Sequence, residues 1–216
     1  MKTSMAKNGL ILAAFALVTT GLISLTFVGT KTKIAAQEQQ KLLADLSSVM
    51  PGNLYDNDIQ HDCALATNAE LLGSADATHV YRARINGQPT ALAIETIAPD
   101  GYSGKIKLLV GVKENGIIAG VRVLKHNETP GLGDKIDIRI SDWILTFDEQ
   151  SYSDEYDDKW KVRKDGGQFD QFTGATITPR AVIKAVKKAV VFYQQNFQAM
   201  FSKENACAVD QAEEIQ

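Results

Sequence analysis

Residues 170–179 read Asp170-Gln171-Phe172-Thr173-Gly174-Ala175-Thr176-Ile177-Thr178-Pro179, a loop of small residues that runs straight into a helix. Thr178 is placed to be the N-cap, and Pro179 suits the first helical position, where its missing N–H costs nothing. Residues 181–201 then carry Val182, Val186, Ala189, Val190, Tyr193, Phe197 and Phe201 at helical spacing, with Lys184, Lys187 and Lys188 mostly on the other face. A small-residue loop at a helix N-terminus offers free backbone N–H groups and the positive end of the helix dipole, so it can receive a phosphate. Two hydroxyls, Thr173 and Thr176, sit in the loop. Many helices open on Thr and Pro with nothing bound, so capping alone would account for the stretch.

Upstream of this helix the pattern changes to strands. Residues 80–85 alternate as a strand, Asn86-Gly87 signals a turn, and residues 90–97 form the antiparallel partner. A loop follows at residues 99–104. Residues 105–112 alternate again, Glu114-Asn115-Gly116 turns the chain, and residues 117–125 complete a second hairpin. Two hairpins in succession point to an antiparallel sheet, in contrast to a parallel doubly wound one. Residues 53–76 read as turn-rich and irregular, and residues 136–147 as a short helix or strand.

The amino-terminal part is of another kind. Residues 8–30 contain no charged side chain and are dominated by Leu, Ile, Ala, Phe and Val; a helix of about 22 such residues is about 33 Å long and crosses a bilayer. No small-x-small cleavage pattern follows, so we read an uncleaved anchor in preference to a signal peptide. The flanking lysines are balanced and leave the orientation open. Residues 34–50 have high helical propensity, either as a stalk or as an extension of the anchor, and Pro51-Gly52 ends them. The net charge is −3, with four lysines and no acid in the first 33 residues. The remainder is therefore acidic and unsuited to binding nucleic acid by phosphate neutralisation. Three His and two Cys, well separated, form no zinc or iron–sulfur spacing. There is no dinucleotide fingerprint, no P-loop and no nucleophile elbow.

Three motifs in order, Gly101-Tyr102-Ser103-Gly104, Glu128-Thr129-Pro130-Gly131-Leu132-Gly133 and the Asp-x-x-Thr-Gly-Ala-Thr of residues 170–176, resemble the FMN-binding domains of the Rnf electron-transport complexes and the Na+-pumping NADH:quinone reductases. The anchor and length look closer to the Rnf-type member than to its usually longer quinone-reductase relative. The resemblance implies an α+β fold with an antiparallel sheet and a long C-terminal helix behind a single transmembrane helix. The expected division is an anchor at 1–33, a stalk and the start of the soluble domain at 34–90, an FMN-binding domain at 91–201 and a tail at 202–216. It further implies FMN held through a phosphoester to Thr176, installed from FAD by a separate flavin transferase. An alkyl hydroxyl is a poor nucleophile, so that enzyme and its metal would supply the activation.

On this reading Gly174 and Ala175 keep the acceptor loop narrow, and Thr173 and Thr178 donate hydrogen bonds to the phosphate. Asp170 is either part of the recognition motif or an Asx-turn contact. Tyr102, Ser103, Gly104, Thr129, Gly131, Leu132 and Gly133 are candidate walls for the isoalloxazine, or simply hairpin connections. His126, Trp143 and Trp160 read as structural. The family would place the body on the periplasmic side of a bacterial inner membrane, among the other subunits of a complex that couples ferredoxin and NAD redox chemistry to Na+ or H+ transport. In that compartment Cys63 and Cys207 would form a disulfide; otherwise both are ordinary thiols. Two rival readings stay open: the quinone-reductase member, and a membrane-anchored binding module without flavin.

Overall fold

The computed structural model describes residues 2–207. Residues 208–216 of the expected tail lie outside them. The chain falls into two compact units, divided between Leu42 and Leu43. The first is a helix. Helix α1, Lys2–Val49, includes the segment Ala6–Lys31, which is long and apolar enough to cross a membrane, has a mean hydropathy of 2.2 and is not buried against protein. Three of its threonines return their hydroxyls to the helix. Thr19, Thr26 and Thr30 donate back to the carbonyls of Phe15, Leu22 and Thr26, the arrangement that satisfies a hydroxyl inside an apolar medium.

The second unit is built on a five-stranded antiparallel meander in the order β1-β2-β3-β4-β5, in keeping with the two hairpins of the sequence. The strands are β1 Cys63–Asn68, β2 Ser74–Ile85, β3 Gln88–Gly101, β4 Gly104–Lys113 and β5 Ile118–Lys125. Asn86 takes a φ of 51° in the β2–β3 turn, followed by Gly87 at 76°, the left-handed pair that a tight hairpin requires. Strand β1 and the short helix α2, Ala69–Leu72, lie inside the stretch read as irregular. The loop expected at residues 99–104 is shorter than predicted. Pairing of Gly101 with Gly104 leaves only Tyr102 and Ser103 at the hairpin tip. Residues 136–147 contain no strand; they are short 3-10 turns at Gly133–Ile136 and Asp142–Phe147.

One face of the sheet is covered by helix α3, Ile177–Ser202. Val182, Val186, Ala189 and Val190 are fully buried there together with Leu92, Ile94, Leu108 and Val110 of the central strands. Each of the Val, Leu and Ile side chains contributes about 1.5–3 kcal/mol of hydrophobic stabilisation. The lysines of α3 face outward: Lys184 pairs with Asp100 and Lys187 with Asp157. On the opposite face the last turn of α1 comes so close that a Cβ on Gly111 would lie 2.2 Å from the Val49 carbonyl oxygen, and one on Gly120 2.9 Å from the Val49 Cα. Leu46, Val49 and Met50 are wholly buried in this contact. The residues expected to form a stalk therefore end inside the domain core, and β1 and β2 share one sheet with the strands beyond residue 91.

Trp143, Phe147, Trp160, Phe169 and Phe172 pack as one aromatic cluster between the 3-10 turns and the loop that leads into α3. Cys63 and Cys207 form a disulfide across 144 residues, which ties the end of the described chain to strand β1.

Candidate functional site

Helix α3 begins two residues earlier than capping rules suggest. Thr176 occupies the N-cap position, and its side chain makes no capping hydrogen bond. Thr178 is not the cap. It lies within the first turn, fully buried, and its hydroxyl donates a short hydrogen bond to Glu128 Oε2. Pro179 is thus the third helical residue, still within the turn whose N–H groups have no partner in the helix. The chain reaches this geometry through Gly174, whose φ of 83° is left-handed, and through a bridge between Phe172 and Ala175. A residue with a side chain would be strained at Gly174, and its Cβ would also press on Leu132 Cδ2 at 3.2 Å.

The loop is fixed from behind. The Trp143 indole N–H donates to the Asp170 carbonyl at 2.8 Å, and the Phe172 ring meets that of Trp143 edge-on at 5.0 Å between centroids. The Asp170 carboxylate turns outward to Arg163 at 3.0 Å. Both groups are mostly exposed, so this pair adds little stability.

In front of the loop lies a cavity of about 260 Å³ lined by Tyr102, Glu128, Thr129, Leu132, Gly133 and residues 174–178. The structure therefore brings the three motifs together at one place. Among the expected site residues it puts Tyr102, Thr129, Leu132, Gly133, Gly174, Ala175, Thr176 and Thr178 on the lining, whereas Ser103, Gly104, Gly131, Thr173 and Asp170 lie off it. Glu128, which opens the second motif, and Ile177 also line the cavity, although the sequence reading named neither as a cofactor-binding residue. Tyr102 is 68% exposed and Leu132 41% exposed, large values for apolar side chains beside a cavity. Such groups offer flat apolar contact to a ring system.

His126 is structural, as expected. Its Nδ1 accepts from the Glu128 backbone N–H at 3.1 Å, and its other nitrogen lies 3.7 Å from Asp137. Hydrogen bonds from Arg139 hold the Asp137 carboxyl down at about 2, against the effect of its burial. The two tryptophans are core residues, 7% and 4% exposed.

An FMN fits what is present. The cavity is slightly smaller than the roughly 300–1,000 Å³ typical of ligand pockets, so it would hold only part of a flavin ring. The N–H groups of Ile177 and Thr178 at the head of α3 suit a phosphate. The class of protein defined by this fold and site is an FMN-binding domain behind a membrane-spanning helix. Residues 101–191 match the model of the FMN-binding domain, and residues 1–49 that of the RnfG N-terminal region. The G subunit of the ion-translocating oxidoreductase complex of Pseudoalteromonas atlantica is 55% identical over 96% of both chains. That of Vibrio cholerae is 57% identical over 96% of this chain and 99% of its own. A crystal structure of Shewanella oneidensis NqrC has 22% identity and a TM-score of 0.48, covering 68% of this chain and 72% of that one. The chain belongs to the family of G subunits of ion-translocating oxidoreductase complexes.

Proposed function

We propose that this chain is the membrane-anchored flavoprotein subunit of an Rnf-type ion-translocating oxidoreductase complex, and that it carries FMN covalently on Thr176. The observation that carries the second part is the state of Thr176. It stands at the rim of the cavity with an exposed side chain and no capping bond, where a threonine at that position ordinarily spends its oxygen on the helix. A hydroxyl left free at a dipole terminus is placed to be the acceptor of a phosphoryl group. A flavin transferase moves the FMN-phosphoryl group of FAD to the Thr176 oxygen; the new bond is O–P, the pyrophosphate bond breaks, and AMP leaves while the hydroxyl proton is lost.

Bound there, FMN supplies reversible uptake and release of electrons, which the complex couples to movement of Na+ or H+. The residues of this chain position it. Tyr102 and Leu132 offer apolar surface to the ring, and the first turn of α3 faces the phosphate. The body lies on the periplasmic side. The disulfide supports that orientation, because such bonds persist in oxidising compartments and are rare in the cytosol. Covalent attachment suits that side, where a lost flavin is not replaced from the cytosolic pool.

The test is in-gel fluorescence of the chain co-expressed with an active flavin transferase and boiled in detergent, beside Thr176→Ala. A fluorescent wild-type band and a dark variant support the reading. Two dark bands would favour an anchored binding module without flavin.

A further inference from the structure

Glu128 is the one carboxylate on the cavity lining among the described residues, and it is 4% exposed. Its two oxygens bind two separate elements. Oε1 accepts the backbone N–H of Ser103 at 3.0 Å, from the tip of the β3–β4 hairpin. Oε2 accepts the hydroxyl of Thr178 in the first turn of α3. The backbone at Gly133 is shaped around this carboxylate. A Cβ on Gly133 would come within 2.9 Å of both Oε2 and the Thr178 oxygen, and one on Gly101 would meet the Gly104 carbonyl oxygen at 2.3 Å and Oε1 at 3.0 Å. Gly133 therefore leaves space that the carboxylate fills. One side chain holds together the hairpin, the 129–133 loop and the head of the helix.

Burial of a charge in this place has an electrostatic consequence. A carboxylate on the lining of a flavin cavity faces a group that gains electrons on reduction. A fixed negative charge that water screens poorly opposes that gain. The helix dipole and the Thr178 hydroxyl offset part of its field but do not remove it.

We propose that Glu128 is the positioning residue that assembles the flavin cavity and that its charge keeps the reduction potential of the bound flavin low. This inference rests on the flavin reading above. It goes beyond that reading in assigning the potential to a named charge.

The experiment uses the full chain, co-expressed with flavin transferase and purified in detergent, as wild type, Glu128→Gln and Glu128→Asp. Covalent loading is read by in-gel fluorescence and potential by spectroelectrochemical titration. The amide of Gln can accept from Ser103 N–H and donate to the Thr178 oxygen, so loading should match wild type while the potential shifts upward. Asp keeps the charge but is one methylene too short to reach both partners. Its loading should fall, and the fraction that loads should titrate near wild type. An unchanged potential in Glu128→Gln overturns the proposal, as does an equal upward shift in Glu128→Asp. Failure of Glu128→Gln to fold or to take flavin also contradicts it, because the amide preserves both hydrogen bonds. A wild-type chain without flavin sinks the parent reading instead, so the two failures are distinct.

Discussion

Reduction of the Cys63–Cys207 bond should cost a large part of the stability of the soluble unit. The bond closes a loop of 144 residues, and the chain-entropy relation then gives about 5 kcal/mol at 25 °C, nearly all of it exerted on the unfolded chain. The folded state loses little, because the tail is held by other contacts. The Ala206 N–H donates to the Cys63 carbonyl at 2.9 Å. The Asn205 side chain accepts from the N–H groups of Cys63 and Cys207 and donates to the His61 carbonyl. Lys203 reaches the Leu65 carbonyl at 2.8 Å. The assay is urea unfolding of the detergent-solubilised chain, followed by fluorescence of the buried Trp143 and Trp160, with the protein oxidised or reduced in denaturant and refolded. With a urea m-value of about 2 kcal/mol/M, the midpoint should fall by about 2.5 M on reduction. Coincident midpoints would refute the reasoning, and would mean that the unfolded chain is already as constrained without the bond as with it.

Other substitutions probe the packing and the site. Gly111→Ala places a Cβ against the Val49 carbonyl and should destabilise by about 1–3 kcal/mol or more, read as a lowered melting temperature. Trp143→Phe keeps a ring in the aromatic cluster but removes the donor to Asp170. That removes one part-buried hydrogen bond, costs about 0.5–1.5 kcal/mol and should reduce the fraction of chain carrying covalent flavin. Asp137, held at about 2 by Arg139, and Glu95, lowered by hydrogen bonds from His79 and Lys107 against its burial, both favour the ionised form in the folded state. Their stabilisation is complete above the ordinary carboxylate range and is lost as pH falls through the folded values. Melting temperatures should therefore drop on acidification below about pH 4, and Arg139→Ala should be less stable at neutral pH and lose less on acidification than wild type, because its Asp137 is no longer held below the ordinary carboxylate value.

The features legible in the sequence were those set by local patterns. Asn86-Gly87 and the alternation on either side of it located the β2–β3 hairpin, because a type of turn and a period of two are written within a dozen residues. The apolar stripe of α3 and the uncharged run in α1 were legible for the same reason. Strand β1 was not. Its run Cys63-Ala64-Leu65-Ala66-Thr67-Asn68 has little β-branched content, and it forms by pairing with β2 and not from its own preference. Thr178 misled for a related reason. Capping rules consider only neighbours, whereas its hydroxyl is engaged by Glu128, 50 residues earlier. Glu128 stood in the second motif, but its role was not legible on the same account, since both of its partners are brought to it by the fold. The continuation of α1 into the domain core depended on Gly111 and Gly120, and only the sheet register aligns those two glycines beneath Val49.

Attachment of the flavin to Thr176 is tested most directly by peptide mass spectrometry. Trypsin cuts after Lys164 and Arg180 to release residues 165–180, a peptide that contains Thr173, Thr176 and Thr178. From chain matured with the transferase, this peptide should gain the mass of one FMN less one water, and fragmentation should place the addition on Thr176. An unmodified peptide, or an addition on Thr173 or Thr178, would contradict the assignment.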